Sequence, residues 1–547
     1  MMSYLIFVTG GVMSSLGKGI AASSIGALLQ ARGFSIRMKK LDPYINVDPG
    51  TMSPFKHGEV FVMEDGCEAD LDFGHYERFT GIACSADDSV TTGKIYETVI
   101  NKERRGDYLG SDIQVIPHIT TEIKNFITAG SENVDFTICE IGGTVGDIEG
   151  LPYIEALRQL SIELGKAKTI CVHLTFVPFV KTAGELKTKP TQYSVKLLQS
   201  MGVQPDILLC RSEFELTDDA KNKLSMFCNI KRDNVITALD ADSVYLIPEQ
   251  HHIAGLDRQI CSHFSIQCDR EAEIDSIISK TWGALKHSIA SPKSSVKIAA
   301  VGKYTKLKDA YISLTQALIH GGIANDTKVE IDWIDSEWPQ EQLSAVLAGV
   351  SGILIPGGFS SRGTDGKLFA IQYAREKNIP FLGICLGLQL AVIESCRNIL
   401  GIKTATSREF DDDGTFVIDF MEKWISESST TETRTQDGNK GGTMRLGNQR
   451  CHISADSLAY KIYGKTDITE RHRHRFEVNI EEYGETLERA GLVFSGMSSD
   501  GKLPEILERK DHIFFVATQA HPEFKSTPFS PHPLFTAFIK AALSLGR

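Results

Sequence analysis

The chain has 547 residues, 42% of them hydrophobic and 23% charged, with a net charge of −12. This is the balance of a soluble globular protein with ample core, which excludes a disordered or fibrous chain. The negative charge argues against a protein that coats nucleic acid, although local lysines can still hold phosphates, and the length allows three or four domains, subject to what the motifs say.

The eleven cysteines are scattered, with no C-x-x-C pair and no His/Cys metal spacing. Neither a disulfide framework nor a zinc site is expected, and a reducing cytoplasm fits best. The first apolar run, residues 4–8, has no basic stretch before it and is too short for a signal peptide. No run approaches the roughly eighteen apolar residues of a membrane span. The expectation is a cytoplasmic protein that engages neither membrane nor nucleic acid.

The opening strand leads into Thr9-Gly10-Gly11-Val12-Met13-Ser14-Ser15-Leu16-Gly17-Lys18-Gly19, then a helical pattern with Ala21, Ile25, Leu28 and Leu29 on one face, ending at Gly33. Strand, glycine loop, lysine and helix form a phosphate cradle. Glycines let the backbone wrap a phosphate chain, the helix N-terminus supplies N–H donors, and Lys18 adds a point charge. The loop departs from G-x-x-x-x-G-K-S/T, since Val12 replaces the first glycine and Gly19 the hydroxyl residue that normally meets magnesium. The metal must then be held by carboxylates at the ends of later strands. Asp72, in Glu68-Ala69-Asp70-Leu71-Asp72-Phe73-Gly74-His75, and Glu140, after the strand-like 136–139, are the expected pair. Taken singly, either reads as a surface or capping acid.

Lys40, after a strand-like stretch over 34–38, is placed to reach the same phosphates. Lys187-Thr188-Lys189-Pro190-Thr191-Gln192 puts two cations and two hydroxyls on an irregular segment before a helix. That suits a second polyphosphate, with a solvated basic loop as the alternative.

Several long blocks then point one way. They include Lys40-Leu41-Asp42-Pro43-Tyr44-Ile45-Asn46, Gly74-His75-Tyr76-Glu77-Arg78-Phe79, Arg104-Arg105-Gly106-Asp107-Tyr108-Leu109-Gly110 and Glu140-Ile141-Gly142-Gly143-Thr144-Val145-Gly146-Asp147-Ile148-Glu149. These closely resemble the CTP synthase family, collinearly along nearly the whole chain.

Between about residues 269 and 295 the pattern weakens to a helix-like stretch and Ser291-Pro292-Lys293-Ser294-Ser295, where the linker is placed. A second α/β unit starts with a strand over 296–301 and a helix over about 309–319. Residues 353–359 read as a strand ending in the loop Pro356-Gly357-Gly358-Phe359. Gly383-Ile384-Cys385-Leu386-Gly387 follows an apolar run and precedes a helical one. This is a nucleophile elbow with cysteine in place of serine, small residues on both sides allowing the sharp turn. A thiol at a helix N-terminus is favoured as thiolate; a buried structural cysteine is the alternative. Attack on an amide carbonyl builds an oxyanion that needs two preplaced donors, for which the N–H groups of Gly358 and Leu386 are the candidates. His521-Pro522-Glu523 offers a base and its orienting carboxylate within three residues.

The second half resembles the class I glutamine amidotransferases. That resemblance implies a nucleophile at Cys385, a general base and acid at His521 and an orienting carboxylate at Glu523. It implies a glutamine site at Gly358, Leu386, Gly387, Leu388, Gln389, Glu409 and Arg475, whose guanidinium and carboxylate suit the two ends of an amino acid. In the first half it implies ATP at Ser15, Leu16, Gly17, Lys18, Gly19, Ile20 and Asp72, with Leu239, Asp240 and Ala241 near the adenine. UTP, and CTP as feedback inhibitor, fall to Ser14, Asp147, Ile148, Glu149, Lys187, Thr188, Lys189, Pro190, Thr191, Gln192 and Lys223. Mg2+ falls to Asp72 and Glu140.

The implied fold is α/β with two doubly wound domains, a P-loop-like synthetase over 1–268 and an amidotransferase over 296–547, joined by 269–295. The implied activity is ATP-dependent amination of UTP to CTP with ammonia from glutamine, through UTP phosphorylated at O4 and a cysteine thioester. The resemblance also implies GTP activation, a homotetramer that can extend to filaments, and an enclosed ammonia passage lined by Pro54, His57 and Val60. Two features depart from the family pattern. Ala520 stands where a larger residue usually backs the histidine, and residues 426–440 read as a polar surface insertion.

Overall fold

The computed structural model describes residues 3–50, 52, 57–267, 269–303, 308–359, 361–420, 423–425, 431–433 and 444–546. Two compact units result: Met1–Pro49 with Asp72–His287, and Gly50–Leu71 with Ser288–Arg547.

The first unit is built on a seven-stranded sheet. Its strands are β1 (Tyr4–Gly10), β2 (Ile36–Asp42), β3 (Ser89–Thr91), β4 (Phe136–Ile141), β5 (Thr169–Phe176), β6 (Ile207–Ser212) and β7 (Val235–Leu239), in the order β7-β6-β5-β1-β4-β2-β3. Every pairing is parallel. Parallel strands covered on both faces read as near-continuous apolar runs, and Leu5, Ile6, Phe7 and Val8 are all wholly buried. β1 lies between β4 and β5, where the connections run off in opposite directions, and loops at such a switch point carry ligands.

Helix α1 (Lys18–Ala31) is buried on more than the expected face, with Ala22, Ser23, Ser24 and Gly26 enclosed as well. β2 begins two residues later than the sequence suggests and runs on through Lys39 and Lys40. A buried strand tolerates these lysines because each is paired. Lys39 donates to the carbonyls of Phe126 at 2.8 Å and Asp87 at 3.2 Å, and Lys40 meets carboxylates. Two further expectations are corrected. Asp72 does not end a strand but opens helix α2 (Asp72–Thr80), where an acid favours the positive end of the helix dipole. The segment 187–192 is irregular only at its start, because helix α3 (Lys189–Ser200) begins at Lys189 with Pro190 in its first turn.

The second unit carries a nine-stranded sheet. Its strands are β8 (Ser294–Gly302), β9 (Thr327–Asp335), β10 (Gly352–Ile355), β11 (Phe381–Ile384), β12 (Arg445–Ile453), β13 (Asp467–His474), β14 (Leu492–Ser498), β15 (Pro504–Arg509) and β16 (Phe515–Thr518), in the order β9-β8-β10-β11-β16-β15-β14-β12-β13. Pairing is parallel from β9 to β16 and antiparallel from β16 to β13. The doubly wound pattern thus covers the first part of this sheet, and an antiparallel extension completes it. Alternate residues feed opposite faces: Ile353, Ile355 and Phe381 join one core, Leu354, Leu382 and Ile384 the other.

Residues 50–71 belong to this unit because a hairpin there is pinned to it. Phe61 packs edge-on against Phe524 with ring centroids 5.1 Å apart, the Arg471 guanidinium donates to the Val62 carbonyl at 3.1 Å, and Arg473 pairs with Glu68 at 2.7 Å. Among the expected passage residues, Val60 is buried, His57 is exposed and Pro54 lies outside the described residues. Most of the insertion over 426–440 also lies outside them; the short strands Lys423–Ile425 and Thr431–Thr433 pair antiparallel.

Candidate active sites

In the first unit the loop after β1 turns through left-handed backbone at Val12 (φ 81°), Ser15 (φ 56°) and Gly17 (φ 96°). A branched residue at such an angle is strained, a cost that folds keep at ligand loops. Lys18 opens α1 and donates from Nζ to the Gly143 carbonyl at 2.7 Å. Burial lowers its pKa from the ordinary lysine value, with Glu140 opposing and Lys40 reinforcing.

Gly19 explains the missing hydroxyl. A Cβ there would lie 1.9 Å from Asp72 Oδ1, so the Asp72 carboxylate takes the space a serine or threonine would fill. Lys40 Nζ pairs with Asp72 and with Glu140, the latter at 2.7 Å, and lies 3.8 Å from Asp42. The Tyr76 hydroxyl donates to the other Glu140 oxygen. Burial and the neighbouring Asp72 charge raise Glu140 above the usual carboxylate range against the pull of Lys40. Lys40 is itself buried, yet Asp72, Glu140 and Asp42 hold it well above the ordinary lysine value. Among the described residues no cluster of three or more His, Cys, Asp or Glu gathers for a metal. Two carboxylates beside a phosphate cradle still fit Mg2+, which keeps waters and takes further ligands from phosphates.

Leu16, Gly17 and Ile20 share a cavity of about 130 Å3 with Leu239, Asp240 and Ala241, bringing the two expected ATP segments together. Arg211 on β6 links them, donating to the Ser15 carbonyl at 3.3 Å, the Leu16 carbonyl at 3.1 Å and Asp240 at 2.7 Å. No local motif marks Arg211; only the strand order brings it there.

The expected UTP residues are less uniform. Thr191 is wholly buried and donates to Thr175 and the Phe176 carbonyl, and Gln192 donates inward to Thr188. Asp147 accepts the Thr144 N–H at 2.8 Å, while Ser14, Ile148, Glu149 and Lys223 are exposed and Lys187 is half-buried. Lys187 pairs with Glu185 and, with Lys223 assisting, lowers that carboxyl below its ordinary value. Lys189 stands over the Phe227 ring, 5.7 Å from its centroid. Gly146 is hard against Leu197 of α3, so the 144–149 loop and this helix adjoin.

In the second unit β11 ends at Ile384, Cys385 follows at φ 52° and ψ −102°, and helix α4 (Leu386–Asn398) begins at once. Both flanking glycines are required. A Cβ on Gly383 would meet the Gly387 backbone and Ala517 at 2.9 Å, and one on Gly387 would meet the Ile355 carbonyl at 2.5 Å. Leu386 is the first helical residue, so its N–H has no intrahelical acceptor.

His521 Nδ1 bonds Glu523 Oε1 at 2.7 Å across the short turn Pro522–Lys525. Burial works against the imidazolium, but Glu523 and the Cys385 thiol, with which the ring hydrogen-bonds, push His521 up to about 10. Phe524 stacks on the imidazole at 5.3 Å and 20°, and buried Ala520 precedes it. Gly357 fits between the reacting groups: a Cβ there would lie 2.6 Å from His521 Cε1 and 3.5 Å from Cys385 Cβ.

His521, Glu523, Gly357 and Gly358 line a cavity of about 700 Å3 together with Glu409 and Arg475. Cys385, Leu386, Gly387, Leu388 and Gln389 are buried and do not line it. Lys367 is wholly buried, with its Nζ 4.0 Å from where a Cβ on Gly358 would lie and with no hydrogen-bond partner among the described residues. A buried thiol beside an imidazole–carboxylate pair, which itself lines a cavity with a cation and an anion for an amino acid, is equipped for acyl transfer from an amide.

Comparison with known proteins finds matches for both units. The family described as CTP synthase N-terminus matches residues 4–266, and Glutamine amidotransferase class-I matches residues 306–541. The CTP synthase of Rhizobium meliloti is 53% identical over 547 residues, covering 100% of both chains. That of Bartonella henselae is 54% identical over 547 residues with the same coverage. Among solved structures, the glutaminase domain of Trypanosoma brucei CTPS with bound acivicin is 40% identical and covers 46% of this chain and 94% of that one, with a TM-score of 0.41. Full-length relatives at this identity match both units in one order, and the chain belongs to the CTP synthase family.

Proposed function

We propose that the chain aminates UTP to CTP by joining two reactions. In the second unit the Cys385 thiolate attacks the side-chain amide carbon of glutamine, and the N–H groups of Leu386 and Gly358 receive the oxyanion. His521 gives its proton to the departing ammonia, leaving a thioester that water, activated by the same imidazole, converts to glutamate. Arg475 takes the substrate's α-carboxylate and Glu409 its α-ammonium. The observation that carries this reading is the strained Cys385 elbow facing the His521–Glu523 pair across Gly357.

In the first unit ATP occupies the cradle at 15–20, with the adenine against 239–241. O4 of UTP attacks the γ-phosphate and ADP leaves. Ammonia then attacks C4 and phosphate departs. Lys18 and Lys40 face the charge on the transferring phosphoryl group. Asp72 and Glu140 are the residues that would hold Mg2+, which supplies charge neutralisation on the triphosphate when bound. Asp147–Glu149, with 187–192 and Lys223, are assigned to UTP and to CTP as inhibitor.

The cavity in the second unit exceeds what one amino acid needs and carries Arg408, Arg473 and Phe359, a set suited to the activator GTP. Ile45, Leu109, Ile148, Ile162 and Tyr193 stand exposed on the first unit, which favours a homotetramer and filaments over a monomer. No disulfide forms among the described residues and no described helix is long and apolar enough to cross a membrane, which supports assignment to the cytoplasm.

The test is CTP formation from UTP, ATP and Mg2+ with glutamine or ammonium as nitrogen source. Cys385→Ala is expected to abolish the glutamine reaction and keep the ammonium one. Loss of both in a folded variant rejects the two-site scheme.

A further inference from the structure

β16 ends at Thr518, whose carbonyl accepts the Cys385 backbone N–H at 2.7 Å, and this brings the next residue, Gln519, beside the sulfur. Gln519 is wholly buried, and its Nε2 lies 3.6 Å from Cys385 Sγ.

Which end of the amide faces the sulfur follows from the neighbouring acceptors. The Phe476 carbonyl can only accept, and it lies 2.9 Å from Gln389 Nε2. The same Gln389 NH2 group donates to Gln519 Oε1 at 3.3 Å. With its oxygen engaged, Gln519 must turn its NH2 toward the sulfur. A buried amide is costly unless its donors are used, and the Cys385 sulfur is an acceptor within reach.

Besides His521, the sulfur has a further polar neighbour in the Arg473 carbonyl at 3.8 Å. That oxygen suits a thiol, which can donate to it, and disfavours a thiolate, which cannot. The Gln519 N–H does the opposite. Cys385 thus sits between a group that favours its resting form and one that favours its reactive form.

We propose that Gln519 is a catalytic residue of the glutaminase site. Its side-chain N–H donates to the Cys385 sulfur, favours thiolate over thiol and fixes the direction of attack, while Gln389 is a positioning residue that sets the amide's orientation. The proposal rests on Cys385 being the glutaminase nucleophile.

Gln519→Met keeps length and burial without the N–H. The expected result is a fall of about 10- to 100-fold in the turnover of glutamine hydrolysis, with KM for glutamine within about threefold. Alkylation of Cys385 by iodoacetamide, followed on its own peptide by mass, should reach half-maximum about one pH unit higher than in the parent. A packing role would leave that pH unmoved. An unchanged alkylation profile in a variant with the parent's melting temperature overturns the proposal, whatever happens to turnover. If the methionine variant does not fold, Gln519→Glu decides, since its O–H can donate only when protonated. Hydrolysis relative to the parent should then recover as the pH falls, and a ratio flat with pH overturns the proposal. A parent enzyme that does not hydrolyse glutamine would reject the functional reading itself, before any variant is compared.

Discussion

Gly19 and Asp72 compete for one place: a Cβ on residue 19 would stand 1.9 Å from Asp72 Oδ1. The cradle has exchanged the hydroxyl of the standard phosphate loop for a carboxylate delivered by a different helix. Gly19→Ser, which restores the standard motif in sequence, is therefore expected to damage the site. KM for ATP should rise at least about tenfold, and the melting-temperature gain on adding ATP and Mg2+ should shrink or vanish. An improved KM would show that Asp72 moves aside at no cost.

Glu523→Gln tests the pH behaviour of the histidine. Despite burial, Glu523 and Cys385 raise His521 to about 10 from an ordinary 6.5. Its proton therefore stabilises the fold fully below about pH 6.5, and this contribution is lost as the pH rises through about 10. In the variant the imidazolium is held less firmly. The alkaline limb of glutamine hydrolysis should move to lower pH by more than one unit, and turnover should fall about 10²- to 10⁴-fold. An unmoved limb would assign that titration to another group.

Gly357→Ala places a methyl group 2.6 Å from His521 Cε1. The imidazole must shift, and a displacement of this order between nucleophile and base costs about 10²-fold. Glutamine-dependent CTP synthesis should fall by about that factor while ammonium-dependent synthesis holds. Equal loss of both would indicate misfolding, to be checked by melting temperature.

Lys367 is expected to destabilise the fold. Burial, with Lys303 adding to it and Glu409 opposing, lowers its pKa to about 7 from 10.5. Between those values the unfolded chain holds a proton that the folded chain lacks, so stability rises with pH across that window and the penalty is complete below pH 7. Lys367→Met, similar in length and uncharged, should melt higher than the parent at pH 6, by several degrees, with the gap narrowing toward pH 9. A variant that melts lower at pH 6 would mean that the lysine has a stabilising partner. Reduced glutamine hydrolysis alongside higher stability would indicate that the enclosed charge serves the adjoining Gly358 loop.

Much of this protein is set by local sequence. The glycine loop before Lys18, the elbow around Cys385 and the His521-Pro522-Glu523 turn are contiguous segments, and short-range sterics settle their shape: small residues where the backbone turns sharply, a proline where a helix begins. The alternation that sends Ile353 and Ile355 to one face of the sheet and Leu354 to the other is equally local. Such features can be read along the chain because neighbours in sequence decide them.

Tertiary structure decided what depends on distant residues meeting. Asp72 opens a helix and fills the space left at Gly19; Arg211 joins the Ser15 loop to Asp240; Gln519 reaches Cys385 because β16 lies beside β11. The same holds for Lys40, whose place in a buried strand is tolerable only with Glu140 and Asp72 around its ammonium, and for the hairpin within 50–71, which packs on Phe524 and Arg471. Burial and strand order set these relationships, and neither is a property of a short stretch of sequence.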